Sequence, residues 1–357
     1  MFQLILSQLF GFGSFYYFII PVVLILEFKK FNFKIEKKSS LIFLFIVFTF
    51  LLLLVNLFLE FSFEKIIMFF SIIWIPLILF FISNNSGIDS SKFFKLNTKI
   101  AIIAAIVGII EFHFSRNLFG LLPVVGYEEL YENFNLFYRT RSFLYSIQIN
   151  ALFLALSLIL ILEFKIISNK FYRYLTIVLI IYAMILTGSR IAILLPLLYY
   201  IIKFPIKSIL VISPLIFLIL VYFINQENIL FENINRQFEL FTNFTQFVSN
   251  EFDLRLSKQF AVLEQSNLIL GNGIGSTYSG SEKYLNPESY YVQIYSEFGL
   301  IGLMFLISAF GLNYFNLSKK LRPILLVMFI SGFFVHGLSS PYLFMFWLIF
   351  YHNENSF

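Results

Sequence analysis

The sequence predicts an all-α, polytopic integral membrane protein, a helical bundle that forms one transmembrane domain over residues 1–357. Of the 357 residues, 59% are hydrophobic and only 13% are charged, and the mean hydropathy is +0.87. Such a composition does not provide a water-soluble surface. The apolar residues form long unbroken runs without strand-like alternation, which favours spanning helices over a membrane barrel. Since the chain has no cysteine, disulfides and thiolate metal sites are excluded.

The apolar runs divide into about eleven spans, with a range of about 10–12, because a hydrocarbon core takes roughly 20 residues per helix. Short runs on either side of Gly188 and Ser339 account for the range, since half-helices and tightly turned pairs both fit them. No cleavable signal peptide is predicted, because the first run lacks a basic flank. The predicted spans are residues 3–27, 41–60, 66–83, 99–114, 143–163, 174–188, 190–203, 207–224, 290–314, 323–338 and 340–351.

The basic residues predict the orientation of the bundle. Lysine clusters occupy every second loop, and cytoplasmic loops are enriched in lysine and arginine. The two long loops, 115–142 and 225–289, are therefore predicted to be periplasmic, the second being the main one. The cytoplasmic loops are 28–40, 84–98, 164–173, 203–207 and 315–322.

The type of basic residue also differs between the two sides. The cytoplasmic set has 14 Lys and 2 Arg, whereas the outer set has 3 Lys and 6 Arg. Lysine suffices to set topology, but the planar guanidinium of arginine binds phosphate through two hydrogen bonds. The asymmetry predicts anion recognition on the outer face, with chance variation among only 8 Arg as the alternative.

The main periplasmic loop contains a predicted amphipathic helix. Phe252, Leu256, Phe260 and Leu263 recur at helical spacing, and Arg255 stands beside this apolar stripe. Such a helix lies on the membrane surface or caps a cavity. Long loops often carry function.

The polar inventory excludes several kinds of chemistry. Only Asp89 and Asp253 are aspartates, so no Asp-x-Asp pair can hold a divalent cation, and no nucleophile elbow is present. We therefore expect no metal and no cofactor. The basic residues follow topology and do not predict a nucleic-acid partner. Glycines at 271, 273 and 275 resemble a dinucleotide fingerprint, but no strand precedes them, so we expect a flexible turn.

Two clusters of polar residues lie near predicted span ends on the outer side. One is the Thr-Gly-Ser-Arg segment that ends at Arg190, where a charge at membrane depth indicates function and a snorkelling side chain is the alternative. The other is Arg139 and Arg141, followed one to two turns later by Gln148 and Asn150. Polar side chains at the mouth of a span line a water-filled cleft, or the arginines only anchor at lipid headgroups.

A third cluster enters a span at residues 288–297. Glu288, Tyr291, Gln293 and Glu297 lie there together, and Gly299 with its neighbour at 302 permits close helix packing. Glu297 is the deeper carboxylate and fits a buried structural role with a basic partner. Glu288 lies at the mouth, where a general base could reach a bound hydroxyl.

Taken in order, these motifs resemble the O-antigen ligase and O-antigen polymerase superfamily. Thr-Gly-Ser-Arg ends a span, an arginine-bearing outer loop follows, then Gly-x-Gly-x-Gly, Tyr-x-Gln and Glu-x-Gly-Leu-Ile-Gly-Leu, within residues 139–314. Members of this superfamily are multi-pass proteins of the bacterial inner (cytoplasmic) membrane. They use undecaprenyl-pyrophosphate-linked oligosaccharides at the periplasmic face, without nucleotide sugar or metal.

The resemblance implies roles for particular residues. Arg190, Arg255 and one of Arg139 or Arg141 would bind the donor diphosphate. Tyr291, Gln293 and Glu297 would help to bind substrate. Related ligases carry a histidine and an asparagine where this chain has Glu288 and a serine, so the resemblance favours a polymerase and makes Glu288 the candidate base.

The implied function is polymerisation of O-antigen or capsular polysaccharide repeat units, with membrane lipid, a chain-length regulator and a flippase as partners. A ligase that transfers the glycan to a lipid or protein acceptor is the closest alternative. A lipid-linked oligosaccharide flippase is an alternative from another class, but it would carry cations along a central cavity. A purely structural scaffold is the weakest alternative.

Overall fold

The structure, a computed structural model, describes residues 40–59, 90–113, 147–164, 166–204, 253–273, 289–316 and 319–333. All regular structure within these residues is helical, as the sequence predicts. The chain divides into two compact units, one comprising residues 1–16 and 91–247 and the other residues 17–90 and 248–357. The helices are α1 (Ser40–Leu59), α2 (Ser90–His113), α3 (Ile147–Phe164), α4 (Lys170–Leu186), α5 (Arg190–Lys203), α6 (Asp253–Gln265), α7 (Tyr290–Asn316) and α8 (Arg322–Ser331).

The observed helices overlap the predicted spans in the described residues, but some of their ends differ. Helix α2 begins at Ser90, inside the predicted loop 84–98, and α8 ends at Ser331, before the predicted end at residue 338. Helix α1 matches the predicted span 41–60, α5 matches 190–203, and α6 matches the predicted amphipathic helix. Two segments, Phe94–His113 and Tyr290–Ser308, are long and apolar enough to cross a membrane by length and composition. The predicted spans 3–27, 66–83, 207–224 and 340–351 and the loop 115–142 lie outside the described residues, and the count of about eleven spans stays a prediction.

Helices α2 to α5 form what we call the four-helix unit. Antiparallel packing of α2 and α3 is shown by the stacked rings of Phe94 and Phe164, whose centroids lie 4.8 Å apart, and by a 3.1 Å hydrogen bond from the Asn97 amide to the Ser157 hydroxyl. Residues 150–161 of α3 are all buried, which places this helix at the centre of the unit. Small residues of α2, including Ala104, are fully buried.

The contacts at the helix ends define an up-down-up-down arrangement. Near the ends of α3 and α5, Glu163 accepts a 2.5 Å hydrogen bond from the Tyr199 hydroxyl and pairs with the Lys203 ammonium, so these helices are parallel. Near the ends of α2 and α4, His113 Nε2 lies 2.6 Å from the Tyr182 hydroxyl, so these are parallel as well. The C-terminal ends of α3 and α5 therefore lie at the same end of the unit as the N-terminal ends of α2 and α4.

Helices α1, α6, α7 and α8 form what we call the broken-helix unit. Within α7, Gly299 has φ 65° and ψ −163°, which interrupts the helix. Phe329 of α8 contacts both parts, since its ring centroid lies 5.0 Å from that of Tyr291 and 3.9 Å from that of Phe310. A straight helix would separate residues 291 and 310 by about 28 Å. The two parts of α7 therefore turn back towards each other, which corrects the expectation of one straight span over residues 290–314.

Candidate functional site

The turn between α4 and α5 presents Arg190 at one end of the four-helix unit. The Thr187 hydroxyl donates to the Met184 carbonyl at 2.7 Å and accepts from the Ser189 amide at 3.2 Å. Gly188 adopts φ 57°, a conformation that favours glycine. Thr187 and Ser189 are buried, so the sequence Thr-Gly-Ser forms a compact, internally bonded turn that fixes where α5 begins.

Arg190 is the first residue of α5 and is partly exposed. Its N-cap, Ser189, is extended and makes no side-chain capping bond, and the first turn of α5 has no acidic residue. The N-terminus of a helix carries a partial positive charge, and here a guanidinium adds to it. This combination favours an anion at the position.

The described basic side chains divide between the two ends of the four-helix unit. One end, which we call the lysine end, is formed by the starts of α2 and α4 and the ends of α3 and α5. The opposite end, which we call the arginine end, carries Arg190. The basic side chains towards the lysine end are Lys95, Lys99, Lys170, Arg173 and Lys203.

Asn150 contributes a polar group near the arginine end. It is 1% exposed, and neither its amide nitrogen nor its amide oxygen has a hydrogen-bond partner. Glu163 of α3 lies beside Tyr199 and Lys203 of α5, which come 36 and 40 residues later in the chain. Because the two helices are parallel, the same register places Asn150 level with residues 186–190. It stands two turns before Ser157, on the side of α3 that faces α2. An unsatisfied buried amide is costly, so Asn150 is a candidate to bind water or substrate.

The residues that the sequence singled out on α7 meet in the broken-helix unit. Gln293 Nε2 donates to Glu297 Oε1 at 3.3 Å, and Glu297 is completely buried. The Tyr291 hydroxyl donates to the Phe329 carbonyl at 2.5 Å. Gln293 therefore bonds within α7, and Tyr291 links α7 to α8.

The segment after α6 is built into the break of α7. Residues 268–273, which we call the strap, make four backbone hydrogen bonds to it. Asn272 N donates to Ser296 O at 2.7 Å and Gly273 N donates to Glu297 O at 3.2 Å. Two further bonds run from the amides of residues 300 and 301 to the carbonyls of residues 268 and 269, at 2.9 and 3.4 Å. The sequence predicted a flexible turn here, and the structure shows an ordered one.

Two glycines make the close approach of the strap possible. A Cβ on Gly271 would stand 2.5 Å from the carbonyl carbon of Glu297, and a Cβ on Gly299 would overlap the Ile269 carbonyl. Both glycines also have positive φ. A Cβ on Gly302 would meet Phe298 and Ile294 of α7 itself, and Gly299 serves the break and the strap. Close packing of these two glycines against another helix stays a prediction.

The structure places the predicted site residues in separate groups. Arg190 belongs to the four-helix unit, and Tyr291, Gln293 and Glu297 belong to the broken-helix unit. Arg255 lies within α6, but its side chain is not among those that the structure describes. Arg139, Arg141 and Glu288 lie outside the described residues. Within the described part of the chain, no group of three or more His, Asp or Glu residues could hold a metal ion.

Sequence reasoning missed the asparagines that shape the strap. Asn267 Oδ1 accepts from the amides of residues 269 and 270 at 3.1 and 3.2 Å. Asn272 Oδ1 accepts from the Asn267 amide at 2.8 Å, and its Nδ2 donates to the Gln265 carbonyl at 2.9 Å. Asparagine beside glycine is a common turn signal, so the sequence Asn-Leu-Ile-Leu-Gly-Asn-Gly contained the relevant information.

Comparison with known proteins does not assign a family. No protein-family model matches the sequence, and no curated protein matches it either.

Proposed function

We propose that this chain is a membrane glycosyltransferase of the O-antigen polymerase type. It joins undecaprenyl-pyrophosphate-linked oligosaccharide repeat units at the periplasmic face of the bacterial inner membrane, by metal-independent, inverting transfer. The observation that carries the proposal is the position of Arg190, at the N-terminus of α5 and at the end of its unit opposite the described lysines. The order of motifs over residues 139–314 supplies the reaction class.

The division of charge supports the proposed orientation. Lysine-rich ends face the cytoplasm in multi-pass proteins, so the lysine end of the four-helix unit would be cytoplasmic and Arg190 periplasmic. Lipid-linked oligosaccharides carry their diphosphate at the membrane surface, where a guanidinium at a span end reaches it. The protein would be multi-pass, with about eleven spans.

The proposed reaction needs little beyond charge stabilisation and one base. A sugar hydroxyl of the acceptor attacks the anomeric carbon of the donor, and the bond from that carbon to the diphosphate oxygen breaks. Arg190, with Arg255 and Arg139 or Arg141, stabilises the charge on the departing lipid diphosphate. Glu288 takes the proton of the attacking hydroxyl. One in-line displacement inverts the anomeric centre.

The glycan profile of a strain that lacks this chain tests the proposal. We expect single repeat units on the final acceptor and no longer polymer, because transfer and export would continue without polymerisation. Lipid-linked polymer with a bare acceptor would instead show a ligase. Repeat units that remain in the cytoplasmic leaflet would show a flippase, and an unchanged profile would remove the chain from this pathway.

The proposed orientation makes a separate prediction. In variants that carry one cysteine each, Ser249→Cys and Ser279→Cys should react with an impermeant thiol reagent in cells with a permeable outer membrane, because both lie in the loop 225–289. Ser168→Cys is the matched control, since Ser168 is exposed at the lysine end and should react only after inner-membrane lysis. The reverse pattern would invert the topology and remove the proposed periplasmic site.

A further inference from the structure

The four bonds between the strap and α7 use backbone groups of α7 that a continuous helix would pair with each other. In a continuous α-helix each amide donates to the carbonyl four residues earlier, so the amides of residues 300 and 301 would bond to the carbonyls of Ser296 and Glu297. These are the same four groups that the strap now satisfies. The strap therefore replaces two bonds of the helix with four bonds of its own.

This exchange leaves α7 with satisfied backbone groups in two forms. In the broken form the strap supplies the partners, and in a continuous form the helix supplies them itself. Irregular backbone at membrane depth is tolerated only where other groups satisfy it. In both forms the carbonyls of residues 296 and 297 and the amides of residues 300 and 301 have hydrogen-bond partners.

The strap also has hydrogen bonds that do not involve α7. The Asn267 side chain accepts hydrogen bonds from two strap amides. The Asn272 side chain accepts from the Asn267 amide and donates to the Gln265 carbonyl at the end of α6. None of these bonds involves α7. The strap can therefore undock as a preformed turn that remains attached to α6.

The apolar side chains of the strap are exposed. Leu268, Ile269 and Leu270 are 64%, 59% and 47% exposed. Backbone hydrogen bonds and one contact between the hydroxyls of Ser266 and Ser296, at 3.0 Å, hold the strap in place. Each of these hydrogen bonds contributes modestly to stability.

We propose that the strap and α7 form a conformational switch, in which docking of residues 268–273 breaks the helix at Gly299 and release allows it to become continuous. The proposal does not depend on the enzymatic function. Release would also free the Gly273 amide from the Glu297 carbonyl.

A distance measurement across the break tests the switch. The chain has no native cysteine, so spin labels can be attached to the double variant Val292→Cys/Ile307→Cys of the full chain in detergent or nanodiscs. A continuous helix places these backbone positions about 22 Å apart, and the folded-back form brings them closer. We expect two distance populations in the native sequence. A single short population would contradict the switch.

Single alanine substitutions should shift these populations in a defined direction. Gly271→Ala and Gly299→Ala each place a Cβ where strap and helix backbones meet, so the long distance should dominate in both. Gly311→Ala is the matched control, because it lies on the same helix and its Cβ would enter open space. It should keep the native populations.

A disulfide provides the second readout. In Ser266→Cys/Ser296→Cys the two sulfurs would be close enough to bond in the docked form. We expect cross-linking in this variant, equal cross-linking with Gly311→Ala added, and at least 5-fold slower cross-linking with Gly271→Ala or Gly299→Ala added. Unchanged cross-linking in the last two would overturn the proposal. Loss of folded protein in both would also overturn it, because the strap would then be a fixed part of the fold.

Discussion

Replacing Arg190 with lysine is expected to lower polymer synthesis by about 10-fold or more, which corresponds to a lost contact of about 1.5–3 kcal/mol with the donor diphosphate. Lysine keeps the charge but lacks the planar fork that bonds two phosphate oxygens at once. Arg190→Ala should remove still more activity. Polymer length and amount in membranes, at equal protein abundance, measure the effect.

The control for this prediction lies at the lysine end of the same unit. Arg173 is partly buried, and its guanidinium lies 5.7 Å from the centre of the Tyr174 ring. It carries the same guanidinium group as Arg190 but lies at the lysine end of the unit. Arg173→Lys should leave polymer synthesis within about 2-fold of the native level. Full activity in Arg190→Ala would show that Arg190 only anchors its helix. Equal losses at both positions would point to destabilisation.

The helices could be predicted from the sequence because apolar runs of span length leave few alternatives. For α5, the Thr-Gly-Ser-Arg break predicted the observed first residue, Arg190, since Gly188 ends one helix and starts a turn. Helix α2 begins at Ser90, earlier than the predicted start at residue 99. Its first turns carry Lys95, and hydropathy excludes such a residue although lysine extends a helix readily.

The break in α7 could not be read from hydropathy, because Gly299 lies within an apolar run and isolated glycines are common in spanning helices. What decides the break is a contact between segments distant in sequence, the strap and residues 296–301. The same holds for Asn150. Its position after Arg141 predicted a polar cleft, whereas its unpaired amide beside α2 follows from packing.

Of the two carboxylates that the sequence singles out, the structure describes Glu297. It is completely buried and accepts a hydrogen bond from Gln293. A general base must reach a bound hydroxyl, and Glu297 lies beside the break, where its backbone carbonyl holds the strap. Glu288, which lies outside the described residues, stays the proposed base.

Replacing Glu288 with glutamine is expected to reduce polymer synthesis by about 100-fold or more, since general base catalysis contributes about 10²–10⁴-fold. The amide keeps the size of the side chain but cannot accept the proton of the acceptor hydroxyl at neutral pH. Donor binding should be preserved, because the arginines hold the diphosphate. Polymer formation and retention of radiolabelled lipid-linked donor by the same purified variant measure the two quantities.

The comparison variant is Glu297→Ala, which removes the buried acceptor of the hydrogen bond from Gln293 Nε2. Loss of one partner of a buried hydrogen bond costs about 1–3 kcal/mol, so we expect less folded protein and a lower melting temperature, with activity per folded molecule nearer the native value than in Glu288→Gln. This difference separates chemistry from folding. Native polymer levels in Glu288→Gln would exclude this residue as the base. Stabilisation of the departing diphosphate by arginine would then have to account for the rate without proton transfer to Glu288.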